Sequence, residues 1–523
     1  MSNGPQEWDV ETPSDGKTVA DLASPDSASN QRAAIVAVDL GAESCRVSLL
    51  RWANAVPNIQ IVHRFPNGAI DKGDGLRWDI HRILAGVEEG LRGCAELASE
   101  GISAIGVDGW AVDYVRLDSG GQPIFQPFCY RDRRTAESLL QVHARISPGR
   151  LYALTGIQIL PLNTLYQLFA DRSRGVEQNT PWVNLPEYVL FRLGGKRIAE
   201  YTNATHTQLV EPDNQAWCRE IFEAAELDLE AAPPIVMPGT NIGRLQRPLA
   251  ALPAFRHTAL IAPACHDTAS AIAGIPARGD DWAFISSGTW SLVGSVLDAP
   301  CISDVARTKN FSNEGGVGGK TYFLKNVNGM WLLRQCMEHW RSQGRSWTAE
   351  QLIEACASLP APDRLLEVDD AELMLPGKMP ERINSQLLRS GGIPISEEPA
   401  MAPRVANLIF HSLAARYAAV LRDLAEVTKK PPKLLYIVGG GSRNAFLNRL
   451  TARATGLEVI VASTESATIG NFAVQLAALA GDYAPAVGVT SSAVAKWAEI
   501  LSGQRIESLA SPTQSDLRIS AGS

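Results

Sequence analysis

The stretch "APACHDTAS", Ala262 to Ser270, sets Asp267 between an imidazole, His266, and a hydroxyl, Thr268, at the end of the apolar run "HTALIAP". A carboxylate so placed can take a proton from an attacking hydroxyl group. A small-residue helix, "ASAIAGIPA", follows, so Asp267 also suits a helix N-cap, and the two roles are compatible. His266 alone reads as a structural histidine, and its neighbour Cys265 as a small buried residue.

Three apolar strands end in glycine-bearing turns, at Gly41, at Gly288 and at Gly439 to Gly441. Glycine lets backbone N–H groups approach phosphate oxygens closely. Asp39, in the first turn, suits Mg²⁺ held through water, because Mg²⁺ keeps few carboxylates and several waters; taken singly it suits an Asx turn equally. Arg46, on the returning strand, either leans on a transferring phosphate or is a solvated edge charge. "VDGWAVDYVRLD" brings Asp108, Trp110 and Asp113 together. Carboxylates catch sugar hydroxyls and aromatic faces cover C–H groups; a plain strand with Trp110 in the core is the alternative. In "LKNVNGMWLL", Asn326 and Asn328 precede a helix, one as its cap and the other as a ligand group. Two phosphate motifs fail. "EGGVGGKT" has Glu314 where a P-loop needs glycine, and "GGGSRN" has Asn444 where the dinucleotide fingerprint needs its last glycine.

The elements that must position these groups alternate between strand and helix, which makes the chain α/β. "AAIVAVDLG" and "CRVSLLRW" form a hairpin, and "WAFISSGTWSLVGSVLD" repeats its logic far along the chain. The repetition suggests a duplicated fold, with "IAGIPARGDD" as the boundary. A helix runs from about Ile80 to Glu100, "ISAIGVDGWAVDYVRLD" reads as one strand, and Ser442 caps the helix after the triple glycine. With 523 residues the chain is too long for one core. A net charge of −8 disfavours nucleic acid. No apolar run approaches the roughly 18 residues of a membrane span. Eight cysteines without C-x-x-C or zinc-like spacing suit a reducing cytosol.

"AVDLGAESCRVSLL", "HRFPN", "GVDGWAVDY", "YRDRRT", "EYTNAT", "CHDTASA", "FISSGTWSLVG", "NEGGVGG", "LKNVNGMWLL" and "VGGGSRNAFLNRLTARATG" together resemble the FGGY carbohydrate kinases, and within them the branch that takes L-rhamnulose. The resemblance spans about Ala33 to Gln504. It implies two ribonuclease-H-like domains of the actin-like ATPase type, with mixed sheets flanked by helices and a cleft between them. The expected layout is a disordered tail over 1–31, a sugar-binding domain over 32–275, a nucleotide-binding domain over 276–505 and a polar tail over 506–523.

The resemblance also implies ATP, Mg²⁺ near Asp39 and a small ketose as ligands, in a cytoplasmic enzyme that is a monomer or small homo-oligomer. Asp267 matches the catalytic base. Ala111, His266, Thr268 and Asn326 match sugar contacts, beside Asp108 and Trp110 from the residue reading. Ala42, Glu43, Ser44, Cys45 and Arg46 match the first phosphate loop. Backbone N–H groups near Gly288 and Thr289 match the second, and Gly440 and Gly441 the nucleotide site. Three departures stand out. Cys45 replaces a usual glycine and is expected to crowd the phosphate. Ala111 replaces a glycine against the sugar, a change worth about 1–3 kcal/mol of discrimination. Arg334 replaces a nucleotide-contacting glutamine. The alternatives are a kinase for L-fuculose, L-xylulose or another ketose, and a sensing protein without turnover.

Overall fold

The computed structural model describes residues 33–277, 279, 281–503 and the backbone of 507–509. The tail expected over 1–31 lies outside the described residues, as does that over 506–523 except for its strand at 507–509.

The run "AIVAVDL" is buried at every position, as a central strand covered on both faces must be. It forms β1 (Ala34–Leu40), which turns into β2 (Ser44–Ala53) and β3 (Val56–Pro66) as an antiparallel meander. On its other side β1 pairs in parallel with β4 (Ile102–Gly109). With β5 (Asn241–Arg244) and β6 (Ala259–Ile261) the order is β5-β6-β4-β1-β2-β3. The second sheet repeats this plan. β7 (Trp282–Ser287), β8 (Trp290–Leu297) and β10 (Thr321–Asn328) form the meander, with β9 (Ser312–Gly315) at the edge. β11 (Leu434–Val438) and β12 (Glu458–Val461) run parallel to β7, and β13 (Glu507–Leu509) closes the order β9-β10-β8-β7-β11-β12-β13.

Helices flank both sheets. α1 (Ile80–Leu97) is capped by Asp79, whose side chain accepts from Arg82 N, and it ends three residues short of the expected Glu100. α2 (Asp267–Ala273) follows the first sheet, α3 (Trp331–Ser342) and α4 (Ala402–Thr428) cover the second, and α5 (Ala445–Thr455) and α6 (Ser466–Leu479) complete its parallel half. Each sheet has its own apolar core, and a third core lies between them, joining Ile35, Ala104 and Ile261 to Phe284, Ile469 and Phe472.

The third core holds the crossing of α2 and α6. A Cβ on Gly470 would lie 1.8 Å from Ser270 O, and one on Gly274 2.2 Å from Ser466 O. Only glycine allows that approach.

Several local expectations change. "ISAIGVDGWAVDYVRLD" is two strands, β4 and a short Tyr114–Arg116 segment, because Val112 breaks the run at φ 69°. Positive φ is strained for a β-branched residue and is held only where surroundings enforce it. Here Thr164 Oγ1 and Gln167 Nε2 both donate to Val112 O. Asn444, not Ser442, caps α5 by accepting from Leu447 N, since a 3-10 turn over Gly440–Arg443 intervenes. Asn326 and Asn328 both lie within β10, and neither caps α3, whose N-cap is Met330.

Candidate active site

Three aspartates stand at the carboxyl ends of adjacent parallel strands, where ligands of open α/β sheets gather. Asp39 ends β1 beside Asp108 of β4. The segment before α2 joins the end of β4 through Gly109 N–H on Cys265 O (3.0 Å), which brings Asp267 alongside. Glu200 fixes that segment from below: its Oε2 accepts from Cys265 N at 2.8 Å and from Thr202 Oγ1 at 2.5 Å.

Asp267 is the first residue of α2 and makes no cap bond; His266 occupies the cap position. Its side chain stays 34 % exposed into a cavity of about 600 Å³ between the sheets. Thr268 Oγ1 donates to its Oδ1 at 3.2 Å, and His266 Nε2 lies 3.4 Å away. Burial, and then the negative charge of Asp39, raise the Asp267 pKa to about 6. Burial holds His266 neutral, its pKa well below the ordinary value. Asp39 is also shifted upward by burial, although Arg46 Nη1 donates to its Oδ2 at 2.5 Å and opposes the shift.

The second sheet supplies the opposite wall. Ser287, Gly288 and Thr289 from the β7–β8 turn and Gly439 to Gly441 after β11 line the same cavity. Gly439 has φ +84°, and a Cβ on Gly441 would lie 2.2 Å from Ser287 Oγ, so both positions require glycine. The Ser44 hydroxyl is enclosed and lacks a hydrogen-bond partner among the described residues, and the equally enclosed Ser287 hydroxyl lies against the Tyr417 side chain. The Gly288 N–H expected to serve the phosphate is already bonded to Trp290 O at 2.8 Å. Arg46 reaches Glu465 across the cleft at 3.3 Å. Glu43 meets Arg334 there and accepts from Thr289 Oγ1 at 2.8 Å.

Ala42, Glu43, Ser44, Arg46, Asp39, Trp110, Ala111, His266, Asp267, Thr268, Thr289, Asn326, Arg334, Gly440 and Gly441 all line this cavity. Four expected residues, Cys45, Asp108, Asp113 and Asn328, do not. Cys45 points into the first core, because β2 alternates and gives the cleft Ser44 and Arg46 instead; its thiol crowds no phosphate. Asp108 is fully buried, with Oδ2 accepting from Asn471 Nδ2 of α6 at 2.6 Å, so it meets the other sheet's helix rather than a sugar. Asp113 is buried too. Its Oδ2 accepts from Trp78 Nε1 (2.6 Å), Trp110 Nε1 (2.9 Å) and Tyr130 N (3.2 Å), which aims Trp110 at the cavity. Asp113→Asn should cost about 1–3 kcal/mol by setting an amide N–H against a buried donor. The denaturant midpoint measures this, and an unchanged midpoint contradicts it.

The reading from sequence missed Gln158, His206 and Glu314. Gln158 Oε1 accepts from both N and Nδ2 of Asn326 at 3.0 Å. His206 and Glu314 face His266. Their only linear signal is position, directly after "EYTNAT" and inside "NEGGVGG".

Residues 34–274 match the N-terminal domain of the FGGY family of carbohydrate kinases, and 283–479 its C-terminal domain. A rhamnulokinase of Pectobacterium carotovorum is 39% identical over 454 residues, covering 85% of this chain and 88% of its own. One of Bacteroides thetaiotaomicron is 37% identical, covering 84% and 89%. In fold the chain is similar to a gluconate kinase of Lactobacillus acidophilus (TM-score 0.69, 16% identity, 90% of this chain and 96% of that one). It is similar as well to a glycerol kinase of Plasmodium falciparum solved with ADP (TM-score 0.67, 13% identity, 90% and 93%). With both halves of the family pattern matched in order and the duplicated sheets facing one cavity, the chain belongs to the FGGY family of carbohydrate kinases.

Proposed function

We propose that the protein transfers the terminal phosphoryl group of ATP to the 1-hydroxyl of L-rhamnulose, with residues 32–275 holding the ketose and 276–505 the nucleotide. The observation that carries this reading is that the Asp267 carboxyl, still part exposed, opens into one cavity lined both by the first hairpin and by the glycine turns of the second sheet, Gly288 and Gly439 to Gly441. The rhamnulokinases among its relatives support the choice of sugar. Phosphoryl transfer asks the protein for position and charge stabilisation more than for covalent chemistry. Asp267 accepts the hydroxyl proton as the oxygen attacks. Arg46 and Thr289, which line the cavity from opposite walls, meet the charge on the moving group. Ala111, Trp110, His266, Thr268 and Asn326 line the ketose end, with Gln158 holding Asn326 in place. Asp39 has the carboxylate that Mg²⁺ would use, and the ion would supply neutralising charge to the phosphates. The eight cysteines are all free, which supports a reducing, cytoplasmic setting. Among the described residues no helix is long and apolar enough to cross a membrane.

A panel of ketoses in an ADP-release assay, with the product's phosphate located, tests the reading. L-Rhamnulose giving the 1-phosphate fastest is the expected result; a faster ketose, or ADP release with none, overturns it. The pH profile follows from Asp267. Its raised pKa keeps the base ionised above about 6. As pH falls through that value the proton binds, and kcat/KM drops about tenfold per unit. A flat profile down to pH 5 removes Asp267 from the role.

A further inference from the structure

Three side chains converge at one end of the cavity; His266 lines the ketose end, while His206 and Glu314 have no part in the proposed transfer. His206 follows the short Tyr201–Thr205 helix, His266 precedes α2, and Glu314 lies on β9. Their rings and carboxylate converge. The two imidazole centroids are 3.9 Å apart, Glu314 Oε2 is 2.8 Å from His206 Nε2, and one ligand atom from each residue lies within 4.8 Å of the other two. All three are buried, with Glu314 only 2 % exposed, yet all three line the cavity. Neither Glu314 Oε1 nor His206 Nε2 has a hydrogen-bond partner, so the 2.8 Å approach is a contact without the alignment of a bond. An unpaired carboxylate oxygen at this depth is costly unless something from the cavity completes it.

The donor set says what that is. Two imidazoles and one carboxylate beside a cavity are the ligand set of Zn²⁺ and its neighbours; Mg²⁺ prefers an all-oxygen set. We infer that His206, His266 and Glu314 bind a transition-metal dication of the zinc class, and that this ion and the ketose exclude one another. The exclusion rests on the sugar reading above. The binding itself does not. His266 Nε2 is 3.4 Å from Asp267 Oδ1, so an ion here sits beside the base and displaces the hydroxyls that the base must reach.

Co²⁺ titrated into the full-length protein without sugar tests the site directly. One equivalent should produce the visible absorption of a nitrogen- and oxygen-ligated ion. His206→Ala and the near-isosteric Glu314→Gln should each weaken binding by more than about 100-fold, beyond what an outer-shell partner contributes. Circular dichroism checks that both variants fold. Absence of the band, or wild-type affinity in both variants, overturns the site. Adding L-rhamnulose should bleach the band in proportion to sugar occupancy. A band that survives saturating ketose, in protein that still turns the ketose over, overturns the exclusion. If the protein turns over no ketose, the kinase reading fails while the Co²⁺ titration still decides the site.

Discussion

Asp267→Asn should leave ketose affinity nearly unchanged and lower kcat by about 10²–10⁴-fold, the range that a positioned general base contributes. The exchange keeps the shape and one acceptor oxygen, so Thr268 still has a partner for its hydroxyl. What disappears is the capacity to take a proton. The charge change works in the same direction. Asp267 is ionised at a cost set by burial and by Asp39, so the neutral amide relieves repulsion and the fold gains rather than loses stability. A variant that is inactive, binds sugar and melts no lower than the parent separates chemistry from folding. Full turnover would remove the base from the scheme, and loss of sugar binding would make its main role structural.

Gly470→Ala should damage both stability and catalysis although residue 470 touches no ligand. The added methyl would meet Ser270 O at 1.8 Å, on the helix that begins with Asp267. Overpacking of a tight core costs typically about 1–3 kcal/mol and more where backbone must move. Here the obstacle is backbone on both sides. The cheapest relief slides α2 away from α6 and carries the base with it, and displacements near 1 Å can cost about 10²-fold in rate. Gly149→Ala is the control, because a Cβ there meets nothing within 4 Å. Thermal unfolding and kcat together measure the effect. A Gly470→Ala protein as stable and active as the control would mean that the helix crossing does not hold the base.

The chemistry-bearing motifs could be read linearly because each sits where a strand ends on a small polar turn. Asp267, Arg46 and Gly441 announce themselves by that local pattern. Which way a side chain faces is decided elsewhere. Cys45 was misjudged because strand alternation, not motif membership, selects Ser44 and Arg46 for the cleft. Asp108 was misjudged because its partner, Asn471, is 363 residues away in the chain. Glu314 drew notice only as the residue that broke a P-loop pattern. Its edge-strand position opposite His206 depends on how the two sheets meet, which no local spacing records. The repeated hairpin, by contrast, could be recognised, since a duplicated strand order repeats its apolar runs as well.

The Glu43 contact has an effect on the enzyme at rest. Its carboxylate, held by Arg334 and the Thr289 hydroxyl, bridges the two walls at the entrance. If the nucleotide binds as proposed, its phosphates compete with that carboxylate for Arg334 and the Thr289 hydroxyl. Observed nucleotide affinity is then the intrinsic value scaled by the fraction of molecules whose entrance stands open.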